Sequence, residues 1–143
     1  SPIDGLTIGA GHAENSSANT STTSEDTQEF VAQAVYSTGP VSFGYRQAHS
    51  DKGAAGTASR VMEGMSIAFN VNDNFAISYG VQDTTVEAIS ATTTDVTEEV
   101  SGISAAYTSG AMSVRMNHSK ADNDNGSSGV DDETTEVSLV LSF

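Results

Sequence analysis

The length and charge of the chain restrict its class before any motif is considered. At 143 residues it has the size of one domain, so residues 1–143 are treated as a single unit. A net charge of −14 repels phosphate backbones and argues against nucleic-acid binding. The absence of Cys excludes disulfides and thiolate chemistry. The chain opens at Ser1-Pro2 without Met, which indicates processing or a position inside a longer protein.

Short runs in which apolar and polar residues alternate predict eight β-strands. β-branched and aromatic residues are common in these runs, and no window has a convincing helical period. In chain order the predicted strands are Ile3–His12, Glu29–Tyr36, Val41–His49, Val61–Val71, Phe75–Asp83, Val100–Tyr107, Ala111–His118 and Thr134–Phe143.

The connections between the predicted strands are of two alternating kinds. Three are tight and contain Gly39, Asp73 and Gly110, together with the Gly, Asn, Asp and Pro that hairpin turns favour. The other four are long and polar. The repeating unit is therefore a hairpin, and it predicts antiparallel strands in simple up-and-down order.

Alternation alone leaves two folds open, because the apolar face points inward in a soluble sandwich and outward in an outer-membrane barrel. The barrel is favoured by the short-turn and long-loop asymmetry, by a polar face of Gly, Ser and Ala, and by a chain that stops within a strand. Aromatic residues also crowd the short-turn side and predict an interfacial girdle. The girdle consists of Tyr36, Phe43, Phe69, Phe75, Tyr107 and Phe143.

The C-terminal sequence resembles a known family. The ending TEVSLVLSF is similar to the terminal strand of Gram-negative outer-membrane proteins, which the barrel assembly machinery reads. The stretch from Val96 onward, and the segment NVNDNFAISYGV, resemble the C-terminal part of alphaproteobacterial porins of the Rhodobacter type. The resemblance implies an about 16-stranded general diffusion porin in the outer membrane, a homotrimer contacting lipid and lipopolysaccharide. It also implies a precursor about twice this length, whose other half carries the loop that narrows the pore.

Whether these strands close alone depends on what fills the interior. Eight-stranded barrels have interiors filled by side chains, and the predicted lumen face offers mainly Gly, Ser and Ala. We therefore expect an open sheet, part of a larger barrel, with the first and last strands apart. A self-contained eight-stranded barrel with a structural or adhesion role is the main alternative. A soluble acidic β-sandwich adhesin is a third interpretation.

Three of the five basic residues are candidates for a pore wall. Arg46 and Arg115 point to the polar face at a similar height above the short turns, and Arg60 lies inward near the loop end. The strands of Arg46 and Arg115 are four apart in the predicted order, which corresponds to about 19 Å at roughly 4.8 Å per strand. In the alternative interpretation these are charges solvated in a wet lumen. The family's arginine-lined constriction favours the pore-wall interpretation.

Most of the acidic residues fall in the long loops or at strand ends, and Glu63 is an exception on the outward parity. The loop ADNDNGSSGVDDE fails the EF-hand spacing, because Gly126 at position 6 puts Ala121 at position 1. A looser calcium site is an alternative, since porins of this type can bind calcium. Its ligands would be Asp122, Asp124, Asp131 and Asp132. We expect no enzyme activity, catalytic metal or cofactor, because no nucleophile–base set or phosphate-binding loop stands out.

Overall fold

The computed structural model describes residues 3–15, 26–51, 58–88 and 94–142, and these form one antiparallel sheet of eight strands. Each strand pairs with its neighbours in sequence, so the order is β1-β2-β3-β4-β5-β6-β7-β8. The strands are β1 Leu6–Asn15, β2 Thr27–Thr38, β3 Val41–Asp51, β4 Arg60–Asn72, β5 Phe75–Val86, β6 Val96–Ser109, β7 Met112–Asp122 and β8 Asp132–Leu141.

The predicted up-and-down order is confirmed, and so is an open sheet, because β1 and β8 are not hydrogen-bonded neighbours. Within the described ranges there is no closed eight-stranded barrel and no second sheet, so the structure does not favour either alternative fold. The predicted bounds differ by a few residues. The strand predicted from Val100 begins at Val96, because pairing with β5 continues to Val86 through polar residues that carry little alternation signal. Phe143 lies outside the described residues.

The short turns form where their residues favour reversal of the chain. Gly39 and Gly110 occupy the first position of two-residue turns with φ of 55° and 56°, which is the type II′ pattern with Gly first. The middle turn has no glycine. There the Asn72 side-chain oxygen accepts hydrogen bonds from the backbone N–H groups of Asn74 and Phe75, both at 2.9 Å, as Asn commonly does in turns.

The register displaces each short turn relative to the one before it. Val41 opens β3 opposite Phe69, which lies three residues before the end of β4. Phe75 opens β5 opposite Tyr107, two residues before the end of β6. The displacement is about one residue per strand. At roughly 3.4 Å per residue and 4.8 Å between strands, the strands are tilted by about 35° from the perpendicular to the line that joins the turns.

The sheet has no hydrophobic core of its own. No hydrophobic residue within the described ranges is buried, and Thr84 is the one buried polar residue there. Besides the strands, the described residues include one 3-10 turn, Asp124–Gly126, between β7 and β8. In the part of the chain that the structure describes, no helix is long and apolar enough to cross a membrane. The fold is therefore held by the hydrogen-bonded strand ladder and not by packing between layers.

Replacing Gly110 with Ala should destabilise the β6–β7 hairpin, because a Cβ in the left-handed region costs roughly 1–2 kcal/mol. Gly80→Ala is the matched control, since an added Cβ there would have its nearest contacts at 3.5 and 3.7 Å, ordinary van der Waals distances. Denaturant unfolding of the two variants should give a lower free energy of unfolding for Gly110→Ala. Equal values would mean that the turn geometry does not require glycine.

Candidate pore wall

The two faces of the sheet differ in side-chain size and in exposure. Tyr79 and Ile103 lie opposite each other on one face and are 50% and 53% exposed. The small residues next to them in sequence lie on the other face and are less exposed. These half-buried residues are Ser78, Gly80, Gly102 and Ser104. The surface concavities lie mainly on this second side. We call the first the apolar face and the second the concave face. At these positions the large side chains are thus more exposed than the small ones beside them.

Arg46 lies on the concave face among small and amide side chains. It is directly opposite Gln33 on β2 and Gly64 on β4, and Gly64 is opposite Gln82 on β5. These residues line a concavity of about 390 Å³. Because glycine carries no side chain, the space beside the guanidinium is open to solvent.

Arg60 and Arg115 share the concave face with Arg46, as their parity predicts. Arg60 lies between Ser50 and Val86 near the long-loop end, and Arg115 lies between Ala106 and Ser138 nearer the short turns. None of the three arginines forms an ion pair or side-chain hydrogen bond with another described residue. Their charges are therefore not neutralised by contacts within the described sheet, although the chain is strongly acidic.

The separation of Arg46 and Arg115 is larger than the strand count alone predicts. The row of directly opposite residues that starts at Arg46 reaches β7 at Ala121, six residues from Arg115. That offset adds about 20 Å along the strand at roughly 3.4 Å per residue, so the two Cα atoms lie about 28 Å apart over the sheet surface. With the strand tilt included, their heights above the turns differ by about 6 Å.

The predicted aromatic girdle lies on the apolar face where the structure describes it. Tyr36 is opposite Phe43, and Phe75 is opposite Tyr107. Phe69 follows on β4, between Val41 and Ile77. The aromatic positions move along successive strands in the direction in which the turns move, so they stay at a similar distance from the turns.

A row of acidic residues crosses the apolar face near the long loops. Glu63, Asp83, Glu99 and Asp122 lie directly opposite one another on β4, β5, β6 and β7. The hydroxyl of Tyr45 donates a hydrogen bond to Glu63 Oε1 at 3.0 Å, and Lys120 Nζ lies 2.6 Å from Asp122 Oδ1. Sequence analysis identified only Glu63 as outward-facing, because the alignment of the other three depends on the strand register.

The aromatic positions mark one edge of the apolar band, on the short-turn side, and the acidic row marks the other edge, near the long loops. On β5, Phe75 and Asp83 are eight residues apart, or about 27 Å along the strand at roughly 3.4 Å per residue. A tilt of about 35° reduces this to about 22 Å of height, close to the roughly 25 Å apolar band of outer-membrane barrels.

The carboxylates of the proposed calcium loop do not converge. Asp122 contacts Lys120, Asp124 accepts from the Asn125 side chain at 3.1 Å, and Asp131 accepts weakly from the Asn123 backbone at 3.4 Å. Within the described residues, no three His, Cys, Asp or Glu side chains are arranged to hold a metal ion. A calcium site there stays a prediction.

Comparisons with protein-family models, curated proteins and solved structures found no match to this chain. The resemblance to Rhodobacter-type porins therefore stays a prediction from the sequence.

Asp83→Asn should raise the free energy of unfolding, because Asp83 lies directly between Glu63 and Glu99 and like charges in opposite positions repel. The expected gain is about 0.2–1 kcal/mol at low salt, and it should shrink at high salt as the charges are screened. Asp73→Asn, in the middle turn, removes the same charge without an acidic cross-strand neighbour and is the control. A gain that is the same for both variants would contradict cross-strand repulsion.

Proposed function

We propose that this chain is part of an outer-membrane porin, a water-filled channel through which small hydrophilic solutes and ions diffuse passively. The observation that carries the proposal is the inverted arrangement of the two faces. Large apolar side chains cover the exposed apolar face, whereas Gly, Ser, Ala and unpaired arginines cover the concave face. Lipid would cover the first and water the second.

The register gives further support to a tilted barrel. Strands of membrane barrels tilt by roughly 35–45°, and the displacement of the short turns corresponds to a tilt of about 35°. The apolar band has about the height that such barrels require. Further strands would close the sheet between β1 and β8, since small concave-face residues would leave an eight-stranded interior poorly filled. The resemblance adds the outer membrane of a Gram-negative bacterium, lipopolysaccharide contacts and a homotrimer.

Single cysteines should distinguish the two faces in the membrane-embedded protein. The chain contains no Cys, so Ser78→Cys and Ile77→Cys place one thiol each on adjacent residues of opposite faces. A charged, membrane-impermeant thiol reagent should label Ser78→Cys from the lumen and leave Ile77→Cys unlabelled, because lipid covers it. The readout is the mass shift of intact protein in outer-membrane vesicles, and detergent-solubilised, denatured protein controls for intrinsic reactivity. Labelling of both cysteines, or of Ile77→Cys alone, contradicts the proposal.

The arginines should contribute to ion selectivity if they line the channel. Arg46→Ser combined with Arg115→Ser removes two positive charges from the concave face, so the reversal potential should shift toward cations in planar bilayers at low salt. The shift should weaken at 1 M salt, where the Debye length is about 3 Å. The charge-retaining pair Arg46→Lys and Arg115→Lys is the control. An unchanged reversal potential in a folded Ser double variant would mean that both arginines are solvated bystanders.

A further inference from the structure

The connection between β7 and β8 is folded back onto the sheet by hydrogen bonds that span a long stretch of sequence. The Asn125 backbone N–H donates to Glu98 Oε1 at 3.0 Å, and Asn123 Nδ2 donates to the carbonyl oxygen of Thr97 at 3.0 Å. Asn123 Oδ1 also accepts from the Gly129 backbone N–H at 2.9 Å. The Asn123 side chain thus hydrogen-bonds both to β6, through Thr97, and across its own loop, to Gly129.

The face against which this loop packs follows from the register. Glu98 is opposite Thr84, and Val86 is opposite Arg60, so both lie on the concave face. A Cβ built on Gly126 would lie 2.7 Å from Val86 Cγ2 and 3.3 Å from Val86 Cβ. The turn therefore lies against concave-face side chains at the long-loop end of β5 and β6, not above the rim of the sheet.

From this placement we propose that residues 123–131 form a fixed, inward-folded constriction at the long-loop mouth of the channel. The inference rests on the proposed function for the channel itself, whereas the inward position of the loop can be tested alone. Gly126 lies directly beside the Val86 side chain, and its lack of a Cβ together with its φ of 71° allows the backbone to approach so closely. Glu98 holds the loop through its hydrogen bond to Asn125 and places a carboxylate at the mouth.

Cross-linking tests the position of the loop in the full-length, membrane-embedded protein. Val86→Cys with Gly126→Cys should form a disulfide on mild oxidation, because the Cβ separation is close to the roughly 3.5–4.5 Å that disulfides prefer. Val86→Cys with Gly129→Cys is the control. Gly129 has the same left-handed backbone, with a φ of 76°, but an added Cβ there has no neighbour within 4 Å. Equal cross-linking in the two pairs would overturn the inward position.

Single-channel conductance tests whether the loop narrows the passage. Glu98→Ala with Asn123→Ala removes the acceptor for the Asn125 N–H and the side chain that donates to Thr97, so it should release the loop and raise the conductance. Oxidation of Val86→Cys with Gly126→Cys should leave the wild-type conductance unchanged. Glu99→Gln is the control for the lost charge. It removes one carboxylate from the adjacent position on the apolar face and leaves the loop contacts unchanged.

The outcomes separate this inference from the proposed function. Selective cross-linking with unchanged conductance in the released variant would overturn only the constriction. A wild-type protein that forms no channels would overturn the proposed function, while cross-linking would still report where the loop lies. Selective cross-linking together with a conductance increase beyond that of Glu99→Gln supports the constriction.

Discussion

The register of the backbone hydrogen bonds is the constraint on which the rest of this structure depends. Within the described residues there is no buried hydrophobic core to fix the strands relative to one another, so the ladder alone decides which residues share a face. Because side chains alternate with a period of two, a slip of one residue would exchange the two faces along a whole strand. The extra residue of β4 between Asn70 and Asn72 is absorbed as a local irregularity next to the middle turn, and the pairing beyond it is regular.

Alternation and turn residues were sufficient to predict the eight strands, because both are local properties of the sequence. The positions of Gly39 and Gly110 identified two hairpin reversals without knowledge of the partner strands. The acidic row and the displacement of the turns could not be predicted in this way, because they depend on how far each strand slides past the next. The contact between Asn125 and Glu98 joins residues 27 positions apart, and no local pattern in the loop indicates that it folds onto β6.

The apolar face also limits the surroundings in which the sheet can be stable. Burying a large aliphatic or aromatic side chain contributes roughly 1.5–3 kcal/mol, and the sheet alone leaves residues such as Ile8 and Val137 largely exposed, at 72% and 67%. A second layer of the same chain would have to come from outside the described residues, whereas lipid would cover every strand equally. The apolar band runs across the strands and shifts with the turns. A layer of uniform thickness, such as lipid, would cover such a band more evenly than a compact protein partner.

The two free edges of the sheet lead to the same conclusion from the backbone. If lipid covers the apolar face, each unpaired N–H or C=O group on β1 and β8 costs several kcal/mol, so both edges must be paired. Pairing them with each other would make a narrow interior that side chains must fill. The row that runs through Gly44, Ser66, Gly80 and Gly102 could not fill it, since three of these four residues have no side chain. Closure through additional strands would remove both difficulties, because a wider interior would hold water that solvates arginines such as Arg46.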